Sequence, residues 1–195
     1  DFSIEKNIKN IAESKNKDIS KMTACILDRP RHKEIIDKLK SLKVNLKLIS
    51  DGDISGALLV TDKKYNIDLF LGIGGGPEGV LAAAALHSFN CKFQGRFLFR
   101  SDKDILRAKK MGINDLNKKY EIDEIVRGDS IFCATGITSS ELVNGVKLDK
   151  GKFITETLVT HKNSSNKIVK KEVPITWLIT LFTIKDPNLV PSSIG

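Results

Sequence analysis

The glycine-rich run over residues 72–79 constrains the fold of this chain more than any other segment. Its sequence is Gly-Ile-Gly-Gly-Gly-Pro-Glu-Gly, between an apolar run at 68–71 and an alanine-rich helical pattern at 80–86. The pattern predicts a tight loop between the carboxyl end of a strand and a helix. Glycines let a ligand approach the backbone closely, and Pro77 suits the first turn of a helix, whose N–H groups attract anions.

Glu78 is the unusual member of this run. A carboxylate placed where an anion would bind is best explained by a divalent cation lying between the carboxylate and a phosphate. The loop is therefore predicted to handle phosphate or metal.

Apolar runs typical of strands alternate with helical patterns along the chain. Predicted strands cover residues 23–27, 44–50, 67–73, 92–99 and 130–134, and predicted helices cover 1–20, 32–42, 54–59, 77–89 and 103–111. This alternation predicts a layered α/β sandwich with a mainly parallel sheet. Residues 151–160 and 168–173 are predicted to form antiparallel edge strands around a polar loop at 162–166.

Three predicted strand ends carry candidate chemistry, and in a parallel sheet they would gather at one edge, where ligands bind. At the first end, Arg29 and Arg31 flank Pro30, which fixes the backbone so that two guanidinium groups can grip one phosphate. At the second, Asp51 and Asp53 bracket Gly52 and can accept hydrogen bonds from sugar hydroxyls or bind a cation. Taken singly, these two motifs also fit a basic turn and an ordinary loop.

A dinucleotide-binding domain is an alternative interpretation of the glycine run. Gly74, Gly76 and Gly79 fit the spacing of the dinucleotide fingerprint, and Asp102 follows at a suitable distance. Two residues of the run count against it, because Glu78 would repel the pyrophosphate and Pro77 removes an N–H donor. A further small-residue turn over residues 133–138 is interpreted as structural, with a substrate wall as the alternative.

Composition narrows the class of protein. With 195 residues and 41% hydrophobic content, the chain suits one domain or one large half of a two-domain protein. The net charge of +8 comes mostly from scattered lysines, without helix-turn-helix or zinc-finger spacing, so an anionic small molecule is a better expected partner than nucleic acid. The longest apolar run, 174–184, is about half of a membrane-spanning helix, so no membrane association is expected.

Cysteine usage suggests a reduced compartment. Cys25, Cys91 and Cys133 are odd in number and lie far apart in apolar or strand-like segments, so we expect buried, reduced thiols in a cytosolic protein. The three histidines stand apart in the sequence and are interpreted as packed or surface residues rather than catalysts. No Cys/His cluster predicts a zinc site.

Taken together, the motifs resemble the class II fructose-1,6-bisphosphatases of bacteria, over about residues 5–173. The similarity rests on the order and spacing of three main motifs and three later ones, at residues 27–32, 49–53, 72–80, 94–96, 134–138 and 155–159.

The resemblance implies a metal-dependent sugar bisphosphatase of the lithium-sensitive phosphatase superfamily, which uses Mn²⁺ or Mg²⁺. It implies hydrolysis of fructose 1,6-bisphosphate to fructose 6-phosphate in gluconeogenesis, and some members also hydrolyse sedoheptulose 1,7-bisphosphate. A cytoplasmic homo-oligomer, dimer or tetramer, is expected. The implied site residues are Arg29, Pro30 and Arg31 for the uncleaved phosphate, Asp51, Gly52 and Asp53 for the sugar, Gly75 for substrate contact and Glu78 as a metal ligand.

The chain departs from that family at both ends. Family members have an amino-terminal domain that supplies most metal-binding carboxylates and a water-activating threonine, and nothing equivalent precedes Asp1. Residues 1–173 therefore resemble the carboxyl-terminal α/β domain, with no catalytic residue expected in this chain alone, and the sequence is expected to open within a longer protein. The tail, 174–195, does not follow the family pattern. A non-catalytic sugar-phosphate-binding module remains the alternative.

Overall fold

The computed structural model describes residues 2–164 and 167–174. The described residues form two compact units, one of residues 2–132 with 160–164 and one of residues 133–159 with 167–174. Most of the tail lies outside the described residues, including Trp177, for which the sequence predicts a place in the core or at an interface. Part of the predicted polar loop at 162–166 also lies outside them.

The helices and strands follow one another in the alternation expected of an α/β chain. The helices are α1 Ile4–Ser14, α2 Lys33–Ser41, α3 Asp53–Leu58, α4 Gly76–His87, α5 Asp102–Lys110 and α6 Ile122–Ile125. The strands are β1 Thr23–Leu27, β2 Asn45–Ile49, β3 Leu69–Phe70, β4 Gln94–Gly95, β5 Tyr120–Glu121, β6 Ile131–Thr135, β7 Lys147–Asp149, β8 Lys152–His161 and β9 Lys167–Pro174.

A parallel three-stranded sheet with the order β2-β1-β3 forms the centre of the first unit. Its middle strand, β1, is apolar and buried because helices pack against it. Ala24 pairs with Leu46 on one side and with Leu69 on the other. The amphipathic helices α1 and α2 pack their apolar faces beside it, and the core cluster consists of Ile8, Ala12, Met22, Ala24, Leu39, Val44 and Leu69.

Gly56 lets helix α3 approach the sheet closely. A Cβ at this position would lie only 2.8 Å from Cε2 of Phe70 and would also overlap the Ile49 side chain. Helix α3 begins at Asp53, a short turn after β2 ends at Ile49, so this close packing fixes where the loop at residues 51–53 lies.

The extent of the parallel sheet differs from the prediction. The α/β class is confirmed, but only three described strands pair in parallel, and the strand predicted over 92–99 is wrong. Only Gln94–Gly95 is a strand, and it pairs antiparallel with β5. The aromatic residues of this segment instead form a local cluster, in which Phe97 stacks on Phe99 and contacts Tyr120 edge to face.

The second unit is built on an antiparallel arrangement around β8. This strand pairs antiparallel with β7 and β9, and Phe153 lies opposite Leu148 on one side and Val173 on the other. The antiparallel strands predicted over 151–160 and 168–173 are thereby confirmed, and the strand predicted at 130–134 is β6.

Cysteine burial follows the prediction only in part. Cys25 is buried in β1 and Cys91 is half-buried, but Cys133 is exposed. The reason is the alternation of β6, in which Phe132 points inward and Cys133 points to the open face. In the described part of the chain, no helix is long and apolar enough to cross a membrane.

Asp68 links the residues that follow helix α1 to the start of β1, the middle strand of the parallel sheet. Its carboxylate, only 7% exposed, accepts from Lys17 Nζ at 2.7 Å, from Lys15 Nζ at 3.1 Å and from the Thr23 N–H at 2.9 Å. Burial alone would raise the pKa of Asp68, but these donors outweigh burial and lower the pKa.

We expect Asp68→Asn to lower the free energy of unfolding by about 2 kcal/mol, because it removes charge-assisted hydrogen bonds from a buried site. Since the folded pKa lies below the unfolded one, the wild-type contribution is present above about pH 4 and lost as pH falls through the folded pKa. Urea denaturation at neutral and acidic pH measures both effects. Asp18→Asn, which breaks an exposed pair with Lys21, is the matched control and should change little.

Glu156 has the corresponding role in the second unit. Its Oε2 accepts from the Asn144 backbone N–H and side-chain amide, both at 2.9 Å, and its Oε1 pairs with Lys170 Nζ at 3.0 Å. The Asn144 bonds, followed by the Lys170 interaction, lower the pKa of Glu156 to about 2. This carboxylate therefore holds the loop that connects β6 to β7 in place through Asn144.

We expect Glu156→Gln to lower the melting temperature of the protein by several degrees at neutral pH, whereas Glu172→Gln, at an exposed pair with Lys152, should not. Because the pKa of Glu156 is lower in the folded protein than in the unfolded chain, its contribution to stability is complete above about pH 4.5 and disappears toward pH 2. An Asn144 amide signal that shifts with a midpoint near pH 4.5 would contradict this account.

Candidate functional site

The three candidate loops leave the same edge of the parallel sheet. Beyond the paired residues, the Asp28 N–H donates to Ile49 O at 2.8 Å, and the Leu71 N–H donates to Cys25 O at 3.1 Å. All three strands run in the same direction, so their carboxyl ends and the following loops lie together, as the sequence predicted.

The arginine turn, residues 28–32, follows β1. Pro30 begins a short 3₁₀ turn, which the His32 N–H closes by donating to Arg29 O at 2.8 Å. A guanidinium nitrogen of Arg29 lies 3.5 Å from Asp51 Oδ1, and Arg31 Nε donates to Ile73 O at 2.5 Å. Each arginine thus contacts a different neighbouring loop.

The aspartate turn, residues 51–53, follows β2 and reverses the chain into α3. Gly52 has φ of +89°, a left-handed conformation that favours glycine, and its N–H donates to Asp51 Oδ1 at 2.9 Å. Asp53 is the first residue of α3 and faces the next loop, because a Cβ at Gly74 would lie 3.4 Å from Asp53 Oδ1.

The glycine loop, residues 72–76, leads from β3 into α4. Gly75 caps the helix with an extended backbone, Pro77 lies in the first turn, and Glu78 follows it. The Glu78 carboxylate folds back against Gly75, where a side-chain Cβ would overlap it. The helix amino end and the Glu78 carboxylate therefore lie together, at the end of the loop that Arg31 and Asp53 approach through Ile73 and Gly74.

His32 is the residue of this region that sequence reasoning missed. It is completely buried, with Nδ1 at 2.8 Å from Leu27 O and Nε2 at 2.9 Å from the Ile73 nitrogen. Its position directly after two arginines and a strand end was visible in the sequence, but its partner Ile73 was not. The expectation that His32 is a packed residue is therefore confirmed, and its link to Ile73 is what the sequence did not show.

His87 also has neighbours. It is buried at the end of α4, and Lys162 Nζ lies 3.0 Å from its Nε2. His161 contacts Ser164 through Nδ1 at 3.0 Å.

The described residues do not form a complete metal site by themselves. In ranges 2–164 and 167–174, no group of three His, Cys, Asp or Glu side chains could hold a metal ion. The exposed Glu78 carboxylate is chemically suited to supply one ligand to Mg²⁺ or Mn²⁺, whose preferred donors are oxygens.

The geometry disagrees with the dinucleotide alternative. In a dinucleotide-binding unit, the helix after the glycine loop leads to another parallel strand, whose end carries the ribose-binding acid. Here α4 leads to β4, which is antiparallel to β5 and lies outside the parallel sheet, and Asp102 is the first residue of α5.

Residues 134–136 of the second unit are held by local contacts. Thr135 Oγ1 lies 2.8 Å from Thr157 Oγ1, and the Gly136 N–H donates to Glu156 O at 3.0 Å. These contacts agree with the interpretation of residues 133–138 as a structural turn.

Comparison with known proteins identifies the family that carries these loops. The family model for the bacterial, glpX-encoded fructose-1,6-bisphosphatase matches residues 1–172. The chain belongs to this family. The resemblance found in the motifs is therefore confirmed, and the arginine, aspartate and glycine loops all lie within the matched part of this bacterial fructose-1,6-bisphosphatase family member.

Several cyanobacterial relatives carry the name D-fructose 1,6-bisphosphatase class 2/sedoheptulose 1,7-bisphosphatase. The Synechococcus sp. (strain JA-2-3B'a(2-13)) protein is 38% identical over 179 residues, covering 84% of this chain and 51% of the relative. The Synechocystis sp. protein is 33% identical, with 85% and 52% covered, and the Trichodesmium erythraeum protein is 33% identical, with 83% and 51% covered. The chain thus spans about half the length of the relatives it matches.

Proposed function

We propose that this chain is the substrate-binding half of a fructose-1,6-bisphosphatase, which hydrolyses fructose 1,6-bisphosphate to fructose 6-phosphate and phosphate. The observation that carries the proposal is the meeting of three loops at one sheet edge. Arg29 contacts Asp51 of the aspartate turn, and Arg31 contacts Ile73 at the start of the glycine loop. Family membership and the names of the relatives support the choice of substrate.

The two arginines suit the phosphate that is not cleaved. Arg31 uses Nε to bind Ile73 O, which fixes the stem of the guanidinium group and leaves its Nη hydrogens as donors for an anion. Arg29 is held near Asp51 in an exposed pair that an incoming phosphate can rearrange at small cost. Two guanidinium groups placed by Pro30 can bind a phosphate through several charge-assisted hydrogen bonds.

The aspartate turn and Gly75 suit the sugar. Asp51 and Asp53 offer carboxylate oxygens to the hydroxyl groups, and the left-handed Gly52 keeps the turn tight between them. Gly75 has no side chain and lies at the amino end of α4, so substrate can approach its backbone closely.

Glu78 suits a metal ion at the phosphate that is cleaved. When bound, Mn²⁺ or Mg²⁺ would activate water and neutralise charge on that phosphate. Glu78 would contribute one ligand to it, and the remaining ligands would come from an amino-terminal domain of the complete protein. We therefore expect this chain alone to be catalytically inactive, while it keeps weak affinity for sugar bisphosphates.

Further features of the complete protein follow from the same proposal. We place its fold in the lithium-sensitive sugar phosphatase superfamily and expect a cytoplasmic homo-oligomer that acts in gluconeogenesis. Sedoheptulose 1,7-bisphosphate is a second expected substrate, as the names of the relatives suggest.

Phosphate release from fructose 1,6-bisphosphate with Mn²⁺ tests the proposal. The 195-residue chain is compared with a form extended upstream through its native coding sequence. Activity in the longer form alone supports the proposal. The proposal would be contradicted if the longer form were inactive on both fructose 1,6-bisphosphate and sedoheptulose 1,7-bisphosphate. Robust turnover by the 195-residue chain alone would also contradict it.

A further inference from the structure

His32 connects two of the loops that form the candidate site. It is the last residue of the arginine turn, and its ring lies against Ile73 of the glycine loop, which is followed by Gly74, Gly75 and Gly76. The ring is 0% exposed, so both of its nitrogens must be satisfied by protein groups.

The contacts assign the hydrogen of the imidazole ring. The Ile73 N–H donates to Nε2 at 2.9 Å, which requires a lone pair on that nitrogen. The hydrogen therefore lies on Nδ1, which donates to Leu27 O at 2.8 Å. Ile73 O lies 3.1 Å from the same Nε2 but receives its hydrogen bond from Arg31 Nε.

Consecutive residues of the arginine turn thus hold both polar groups of Ile73. His32 binds the N–H and Arg31 binds the carbonyl oxygen. Three glycines follow Ile73, and glycine restricts the backbone less than any other residue. The position of the loop at Gly75 consequently depends on where Ile73 is held.

We propose that His32 is a positioning residue, which holds the glycine loop in register with the phosphate-binding arginine turn through the Ile73 N–H. It does not contact the substrate, and its effect on binding acts through Gly75 and Arg31. The link to substrate binding rests on the proposed function, whereas the link between His32 and the loop does not.

Two substitutions separate the two hydrogen bonds of the ring. Asn at position 32 has the reach to keep the Leu27 bond but not the Ile73 bond, whereas Gln can place its carbonyl oxygen near the Ile73 N–H. We expect the Ile73 amide to exchange its hydrogen about tenfold faster in His32→Asn than in His32→Gln. The Leu71 amide, which donates to Cys25 O, is the internal control and should stay protected in both variants.

The second readout is binding of fructose 1,6-bisphosphate with Mg²⁺ to the upstream-extended protein. We expect about tenfold weaker binding for His32→Asn and substantial recovery with His32→Gln. Equal exchange at Ile73 in both variants would overturn the positioning role. If Ile73 exchanges faster in His32→Asn than in His32→Gln but the wild type binds no bisphosphate, the proposed function is refuted. The contact between His32 and the glycine loop would then still hold.

A measurement on the wild type covers the case in which neither variant folds. The ¹⁵N spectrum of the imidazole should place the hydrogen on Nδ1 and show coupling from the Ile73 N–H to Nε2. A hydrogen on Nε2 would overturn the proposal directly.

Discussion

Replacing Arg31 with alanine should raise the KM of the upstream-extended protein for fructose 1,6-bisphosphate about 100-fold. The substitution removes the charge-assisted hydrogen bonds that we propose Arg31 makes to a phosphate. About 3 kcal/mol is expected for these bonds, and about 1.4 kcal/mol corresponds to a factor of ten. It also removes the Nε bond to Ile73 O, which helps to hold the glycine loop. Steady-state phosphate release measures the effect.

Lys33→Ala is the matched control for this substitution. Lys33 lies two residues further along, is exposed at the start of α2 and carries the same charge. If general electrostatic attraction governed binding, both substitutions would weaken it similarly. An unchanged KM in Arg31→Ala, or equal losses in the two variants, would contradict a specific phosphate contact.

Replacing Glu78 with glutamine should abolish most metal-dependent turnover of the upstream-extended protein, by about 100-fold or more. The change is nearly isosteric but removes the anionic oxygen that Mg²⁺ and Mn²⁺ prefer. Substituting a residue that only supports a metal ligand typically lowers metal affinity or activity 10- to 100-fold. About 100-fold is therefore a conservative expectation for substituting a ligand itself. Turnover measured against Mn²⁺ concentration should show a raised metal requirement in the variant.

Glu34→Gln separates this role from an effect on helix stability. Glu34 lies in the first turn of α2, as Glu78 lies in the first turn of α4, and both are exposed. Both substitutions should weaken their helices by a few tenths of a kcal/mol through the helix dipole. Wild-type metal dependence in Glu78→Gln would remove Glu78 from the metal site.

The sequence predicted those parts of the site that depend on local patterns. Apolar runs that end at Asp28, Asp51 and Gly72 mark the three strand ends, and the parallel topology brings them together. Proline and glycine at fixed offsets then determine the turns that follow. These turns could therefore be predicted without knowing which distant residues they contact.

Other features depend on contacts between distant residues and could not be predicted. His32 contacts Ile73 because the sheet brings these two distant residues together, so the partners of its ring nitrogens could not be predicted from the sequence. The aromatic residues near Phe97 have strand propensity, but among the described residues they have no parallel strand beside them to pair with. Cys133 shows the same limit, because alternation predicts two faces of β6 but not which face is covered.

Helix α4 illustrates both outcomes. The sequence predicts close packing of its alanines against the sheet, but the helix packs mainly against α3 and α6, where Ala83 and Ala85 are fully buried. The helix is apolar around its circumference, yet Val80 and Leu81 are about half exposed, at 51% and 48%. A sequence pattern predicts the helix, whereas the extent of its burial depends on the elements that pack around it.

The most direct test of the account is an NMR titration of the 195-residue chain with fructose 1,6-bisphosphate in the presence of Mg²⁺, with fructose and inorganic phosphate as controls. We predict that the largest amide shifts occur in the arginine turn, the aspartate turn and the glycine loop, including Arg31, Gly52 and Gly75. The shifts should exceed those with either control ligand, because the proposed function has the three loops bind phosphate and sugar together. No shifts at millimolar bisphosphate, or shifts centred on residues outside these three loops, would contradict the account.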